Sequence, residues 1–151
     1  MPNLKRILVP VDFSPCSRAA LDRAADLAGH FGASIHVLHC WEVPAYLRPD
    51  LTVWSGEVSA TLAEHAEREA RRAMEQFLEE SGVAARSVVT SELLSGAPYT
   101  VISAALEARG YDLVVLGTHG RSGLAHLVLG SVAERVVRHS RVPVLTVRGA
   151  G

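Results

Sequence analysis

The stretch Gly117-Thr118-His119-Gly120-Arg121-Ser122-Gly123 follows an apolar run and leads on to Gly130-Ser131. Glycines let a backbone adopt positive φ and approach a ligand closely, so that successive N–H groups can be aimed at phosphate oxygens. A helix starting at Ser131 would add unpaired N–H groups and a dipole that favours an anion. These are the parts a polyphosphate needs. On these residues alone, a loop in which Gly117 and Gly120 only turn the chain and Ser131 only caps a helix fits as well. Asp12 stands directly after the apolar run Ile7 to Val11. A carboxylate at a strand end can accept hydrogen bonds from ribose hydroxyls, or it can serve the turn and cap that follow.

Other chemistries are poorly supported. The sequence has no GxxxxGK[ST], and the turn Pro10-Val11-Asp12-Phe13-Ser14-Pro15 has no GxGxxG, so neither standard phosphate motif applies. His36 and His39 differ by three along an expected strand and therefore point to opposite faces. His119 and His126 lack cysteine or carboxylate companions at ligand spacing, so no metal site is expected. Cys16 and Cys40 form no CxxC and are too few for a disulfide framework; inert thiols in a reducing compartment are expected. No catalytic nucleophile or base can be named.

The elements that must carry these residues follow from periodicity. Ile7 to Val11 reads as a short strand buried on both faces. Ser14-Pro15 then opens a helix to about Phe31, closed by Gly32. Strand two is Ile35 to Cys40. Trp41 to Gly56 reads as an irregular loop in which Trp41 and Trp54 either cover the site or plug the base of the next helix. That helix, Glu57 to Ser81, carries one apolar stripe and ends at Gly82. A third strand is expected around Arg86 to Leu93, a helix from Tyr99 to Ala108 and a fourth strand at Leu113 to Leu116. The chain closes with a helix from Ser131 to His139 and a last strand from Val142 to Val147. Alternation of this kind predicts an α/β fold: one domain over residues 1–151, with a single open five-stranded, mostly parallel sheet and helices on both faces, Rossmann-like in layout. Ligands of such sheets sit beyond the carboxyl ends of the strands, where strand order reverses. The places to look are just after Val11, Cys40 and Leu116.

Gly117-x2-Gly120-x9-Gly130-Ser131 has the spacing of the G-x2-G-x9-G-[ST] signature, and here the chain resembles the ATP-binding universal stress proteins. Ile7 to Ser14, the His39 segment, Asp112 to Gly117 and Ser131 through Val147 follow that family's pattern in order, over essentially the whole chain. The resemblance implies a fold akin to the adenine nucleotide alpha hydrolases. It also implies that Asp12 meets the ribose or adenine end of ATP, with Pro10 and Val11 alongside, and that Cys40 contacts adenine through its backbone. Gly117, Gly120, Gly130, Ser131 and Val132 would line the ribose and phosphates, Arg121 and Ser122 would reach a terminal phosphate, and Mg²⁺ would be held mainly by the phosphates. It further implies a homodimer through the C-terminal strand 142–147.

Composition narrows the partners. Hydrophobic residues make up 48% and charged residues 21% of the 151 residues, with a formal net charge of −1. That balance suits a globular domain and gives no broad positive field for nucleic acid or anionic membrane. No apolar run near the N-terminus is long enough for a signal or a span, so a cytoplasmic protein is expected. The expected function is a nucleotide-dependent sensor or regulator of the stress response, with at most slow ATP hydrolysis or self-phosphorylation, acting on a regulatory partner the residues do not identify. The competing readings are a nucleotide-handling enzyme of a related α/β group and a dimeric stress protein without nucleotide. The SGGxDS loop or HxGH pair of pyrophosphate-releasing synthetases is absent from the sequence, and the intact glycine motif argues against the second alternative.

Overall fold

The computed structural model describes residues 3–56, 58–119 and 129–149. Strand β1 (Arg6–Pro10) leads through helix α1 (Pro15–Phe31) to β2 (Ser34–Trp41). The hairpin β3 (Thr52–Ser55) and β4 (Val58–Thr61) and the long helix α2 (Leu62–Ser81) come next. Then follow β5 (Val88–Ser95), α3 (Pro98–Ala108), β6 (Leu113–Gly117), α4 (Ser131–His139) and β7 (Val144–Val147). The five-stranded sheet has the order β5-β2-β1-β6-β7, and every pairing in it is parallel. From β1 the chain builds outward through β2 to β5, then crosses to β6 and builds outward the other way to β7. Strand order therefore reverses between β1 and β6, and β5 and β7 form the edges.

Each strand face has its own apolar layer. Ile7, Val9, Ile35, Val37 and Val115 point to one side and pack with Ala20, Leu21, Ala24, Ala25 and Ala28 of α1 and with Met74 and Phe77 of α2. Leu8, Leu38, Val114 and Leu116 point to the other and meet Ile102 and Ala105 of α3 and Ala133 and Val136 of α4. Removing such a side chain from water contributes about 1.5–3 kcal/mol. Because strands inside a doubly covered sheet are apolar at successive positions, they show as continuous runs, and Ile7 to Val11 is one.

Local signals set the helix ends. Ser14 accepts from the Ser17 N–H at the start of α1, Pro15 occupies the first turn, and Gly32 closes the helix at φ 70°. At α2 two expectations are corrected. The supposed loop before it contains a strand, and the helix begins at Leu62, not Glu57. Thr61 Oγ1 accepts from Glu64 N–H at 3.1 Å, while Glu64 Oε2 accepts from Thr61 N–H at 2.8 Å. This reciprocal box fixes the helix start. Residues upstream pair instead as an antiparallel ribbon, with Trp54 opposite Ser59. The final strand is also shorter than expected: Val142 and Pro143 precede it, since a proline contributes no N–H to a ladder. The C=O of Pro143 still accepts from Val114 N–H. Among the described residues no helix is long and apolar enough to cross a membrane.

Candidate functional site

At the reversal of strand order the carboxyl ends of β1, β2 and β6 and the first turns of α1, α3 and α4 enclose a cavity of about 220 Å³. Pro10, Val11 and Asp12 come from the end of β1 and the turn after it, and Leu38, His39 and Cys40 from β2. Leu116 to His119 come from the end of β6, Gly130 to Ala133 from the start of α4, and Ser17, Pro98 and Ile102 complete the lining. Pro10, Val11, Asp12, Cys40, Gly117, Gly130, Ser131 and Val132, all expected from sequence, thus share one space. Gly120, Arg121 and Ser122 lie outside the described residues.

The turn after β1 is held from several directions. Its unusual member is Phe13, at φ 66°, a left-handed conformation that a bulky side chain rarely adopts and that must be held by its surroundings. The Phe13 ring packs on His39, centroids 4.2 Å apart, and meets Phe77 edge-on at 5.5 Å. His39 is buried, and its Nδ1 lies 2.8 Å from the Val11 carbonyl oxygen. A carbonyl can only accept, so Nδ1 carries the proton. Asp12 receives the Ser14 N–H at 3.0 Å and the Ser17 hydroxyl at 2.6 Å, both on Oδ1. Of the two roles left open for Asp12, its carboxylate takes the support of the turn, and it also borders the cavity.

On β2 the geometry follows from the ladder. Val11 N–H donates to Leu38 O, beyond the last pairing of β1 with β2, Pro10 with Leu38. In a parallel strand alternate residues turn both N–H and C=O to the same side. Cys40 therefore presents its main-chain pair on the β1 side, where β1 has ended, while β2 continues to pair with β5 as far as Trp41. The Cys40 side chain packs among the apolar residues against α3 and α4. Burial, reinforced by the nearby Glu42 charge, pushes its thiol up to about 11, so it stays protonated and unreactive near neutrality.

The glycines depart from the expected reason for their presence. Neither Gly117 nor Gly130 has positive φ; Gly130, the N-cap of α4, sits at φ −58° and ψ 155°. Gly117 is needed for packing, because a Cβ there would stand 2.7 Å from Cys16 Cβ and 2.9 Å from its carbonyl carbon. At α4, among the described residues, no side chain caps the first turn, in contrast to Ser14 on α1 and Thr61 on α2. The Gly130 N–H donates to Thr118 O at 2.7 Å, and Thr118 N–H donates to Val147 O at 2.9 Å. The buried Thr118 thus ties the helix start to β6 and β7, while its Oγ1 lies 2.9 Å from His119 Nδ1. His119 Nε2 is buried without a hydrogen-bond partner among the described residues.

Sequence reasoning did not single out Ser17, Thr118, Pro98 or Ile102. The spacing Asp12-Ser14-Ser17 at a helix start was a signal for the first. Pro98 and Ile102 join the site only because the crossover lays α3 against β2 and α4, which no local pattern encodes. Neither tryptophan is among the cavity's lining residues, and Trp54 stands 73% exposed on the hairpin.

Comparisons with known proteins agree with this architecture. Residues 3–148 match the universal stress protein family. A universal stress protein of Methanocaldococcus jannaschii is 33% identical over 145 residues, spanning 95% of this chain and 82% of the relative. Universal stress protein A homolog 1 of Coxiella burnetii is 32% identical, spanning 96% of each. Among solved structures, universal stress protein UspA from Lactobacillus plantarum superposes with a TM-score of 0.78 at 28% identity, over 98% of this chain and 100% of that one. A universal stress protein in complex with cAMP shares the fold at 22% identity with a TM-score of 0.69, over 98% and 99%. With sequence, sheet order and site position in agreement, the chain belongs to the universal stress protein family.

Proposed function

We propose that this universal stress protein binds ATP in the cavity between β1 and β6 and acts as a nucleotide-dependent sensor or regulator. The observation that carries the reading is the uncapped start of α4 at Gly130 to Val132, opening on the same cavity as Asp12 and the main chain of Cys40. Each part fits a different portion of the ligand. Adenine reads the N–H and C=O of Cys40, the ribose hydroxyls reach Asp12, and the phosphates meet the N–H groups and dipole of α4. Magnesium enters with the nucleotide, held mainly by its phosphates. Gly120, Arg121 and Ser122 complete the phosphate end in this proposal. One protein of the same fold is in complex with cAMP, so the fold admits an adenine nucleotide.

The described lining offers amide donors, one carboxylate, the imidazoles of His39 and His119 and small or aliphatic side chains, and includes no lysine to clamp a phosphoryl group. Phosphoryl transfer depends on such positioned charge, so we propose binding with slow turnover at most. The protein works in the cytoplasm as a homodimer, in which β7, an edge of the sheet, pairs with its counterpart.

The test is a melting curve of protein freed of nucleotide. At Mg·ATP about 100 times the dissociation constant, linkage adds roughly 2.7 kcal/mol, which raises the midpoint by several degrees for a domain this size. No shift at millimolar Mg·ATP overturns the proposal.

A further inference from the structure

We propose that Ser17 is a positioning residue that sets the plane of the Asp12 carboxylate, and through it the ability of the site to distinguish a ribose from a sugar lacking its hydroxyls. The inference rests on the nucleotide reading above and adds a residue that reading does not use.

Ser17 grips Asp12 twice through one atom. Its Oγ accepts from the Asp12 N–H at 2.9 Å and donates to Asp12 Oδ1 at 2.6 Å. A hydroxyl has one proton and a carboxylate can only accept, so the direction of the second bond is settled. The length is that of a strong charge-assisted bond. Ser14 Oγ approaches Ser17 Oγ at 3.4 Å, and the Ser14 N–H gives Oδ1 its second donor at 3.0 Å. Main chain and side chain of Asp12 are therefore tied to the same point, and rotation of the carboxylate would break two bonds at once.

That point is rigid. Ser17 is 4% exposed and sits in the first turn of α1, its own N–H held by the N-cap Ser14 at 3.2 Å. Asp12 lies in a turn, yet its carboxylate inherits the precision of a helix. With two donors converging on Oδ1, the carboxylate meets a ribose hydroxyl entering the cavity in one fixed orientation. Ser17 borders that same cavity.

Calorimetry of ATP and 2′,3′-dideoxy-ATP against wild type, Ser17→Ala and Ser17→Thr tests this. Wild type should prefer ATP; Ser17→Ala should weaken ATP by roughly tenfold while leaving dideoxy-ATP within about twofold. Ser17→Thr, which keeps the hydroxyl, should restore the preference. If Ser17→Ala does not fold, Ser17→Cys makes the same comparison, since a thiol hydrogen-bonds weakly. A folded Ser17→Ala or Ser17→Cys that binds ATP as wild type does, or that loses both nucleotides equally, overturns the inference and leaves the proposed function standing. So does a wild type that binds the two nucleotides equally. A wild type that binds neither overturns both.

Discussion

At Gly117 an added methyl group would press on the Cβ and main chain of Cys16, and backbone atoms cannot yield as a flexible side chain can. At Gly130 the backbone, at φ −58°, is open to any residue, and under the proposed function glycine there leaves the start of α4 open to the phosphates. The two glycines of one motif thus answer to different demands, packing at the first and access at the second. Gly117→Ala should cost about 1–3 kcal/mol in urea denaturation whether or not nucleotide is present. Gly130→Val should lose no more than about 1 kcal/mol, the usual scale of an N-cap change, yet weaken ATP in calorimetry. A Gly117→Ala protein as stable as wild type, or a Gly130→Val protein with unchanged affinity, would reverse these assignments. Asp12 illustrates how far sequence reasoning reaches at this scale. Its position after an apolar strand marked it, but the grip of Ser17 emerges only in the folded structure, because the hydroxyl could equally have turned to solvent.

Among the elements, those with strong local punctuation were legible: α1 between Ser14-Pro15 and Gly32, and the apolar runs of β1, β2 and β6. The hairpin β3–β4 was not, since four-residue strands of mixed polarity carry no clear period. The start of α2 was written in Thr61-Leu62-Ala63-Glu64, a capping box masked by the helix-forming residues around it. Across β2 and β5 runs a partly buried network that periodicity cannot reveal. His36 Nε2 lies 3.3 Å from Glu92 Oε2, its Nδ1 meets the Tyr111 hydroxyl, and Arg109 pairs with Glu92 while Arg6 lies over the Tyr111 ring. Burial holds His36 below its ordinary pKa; the Glu92 charge opposes this and Arg109 and Arg6 reinforce it. The imidazole is therefore neutral near pH 7, and its contact with Glu92 is not an ion pair there. The hydrogen bond from Arg109 holds Glu92 below the usual carboxylate range. In acid the unfolded chain takes up protons before the folded one at both residues. Their contribution is full above about pH 6.5 for His36, and above the ordinary glutamate value for Glu92, and it is lost as pH falls through those windows. Urea midpoints should drop as pH falls below about 6.5, and His36→Gln should flatten the start of that drop. An unchanged slope in the variant would place the titrating group elsewhere.

For the whole molecule, the strand order β5-β2-β1-β6-β7 makes the ends of β1 and β6 diverge, and every lining residue follows from that geometry. It also leaves β7 at an edge, where the proposed dimer forms. Leu145 and Val147 pack into one of the chain's own apolar layers and Val144 into the other, so acidic substitutions there would strike the core before any interface. Light scattering on the intact protein is the cleaner test: twice the 16.2 kDa chain mass is expected, and a monomer would reject the dimer. The central claim, an adenine nucleotide held at the reversal of strand order, is tested most directly by mapping backbone amide shifts on titration with Mg·ATP. The largest changes are expected at Val11, Asp12, Cys40, Gly117 and Gly130 to Val132; a spectrum that does not change, or changes centred on the β3–β4 hairpin, would rule such a site out.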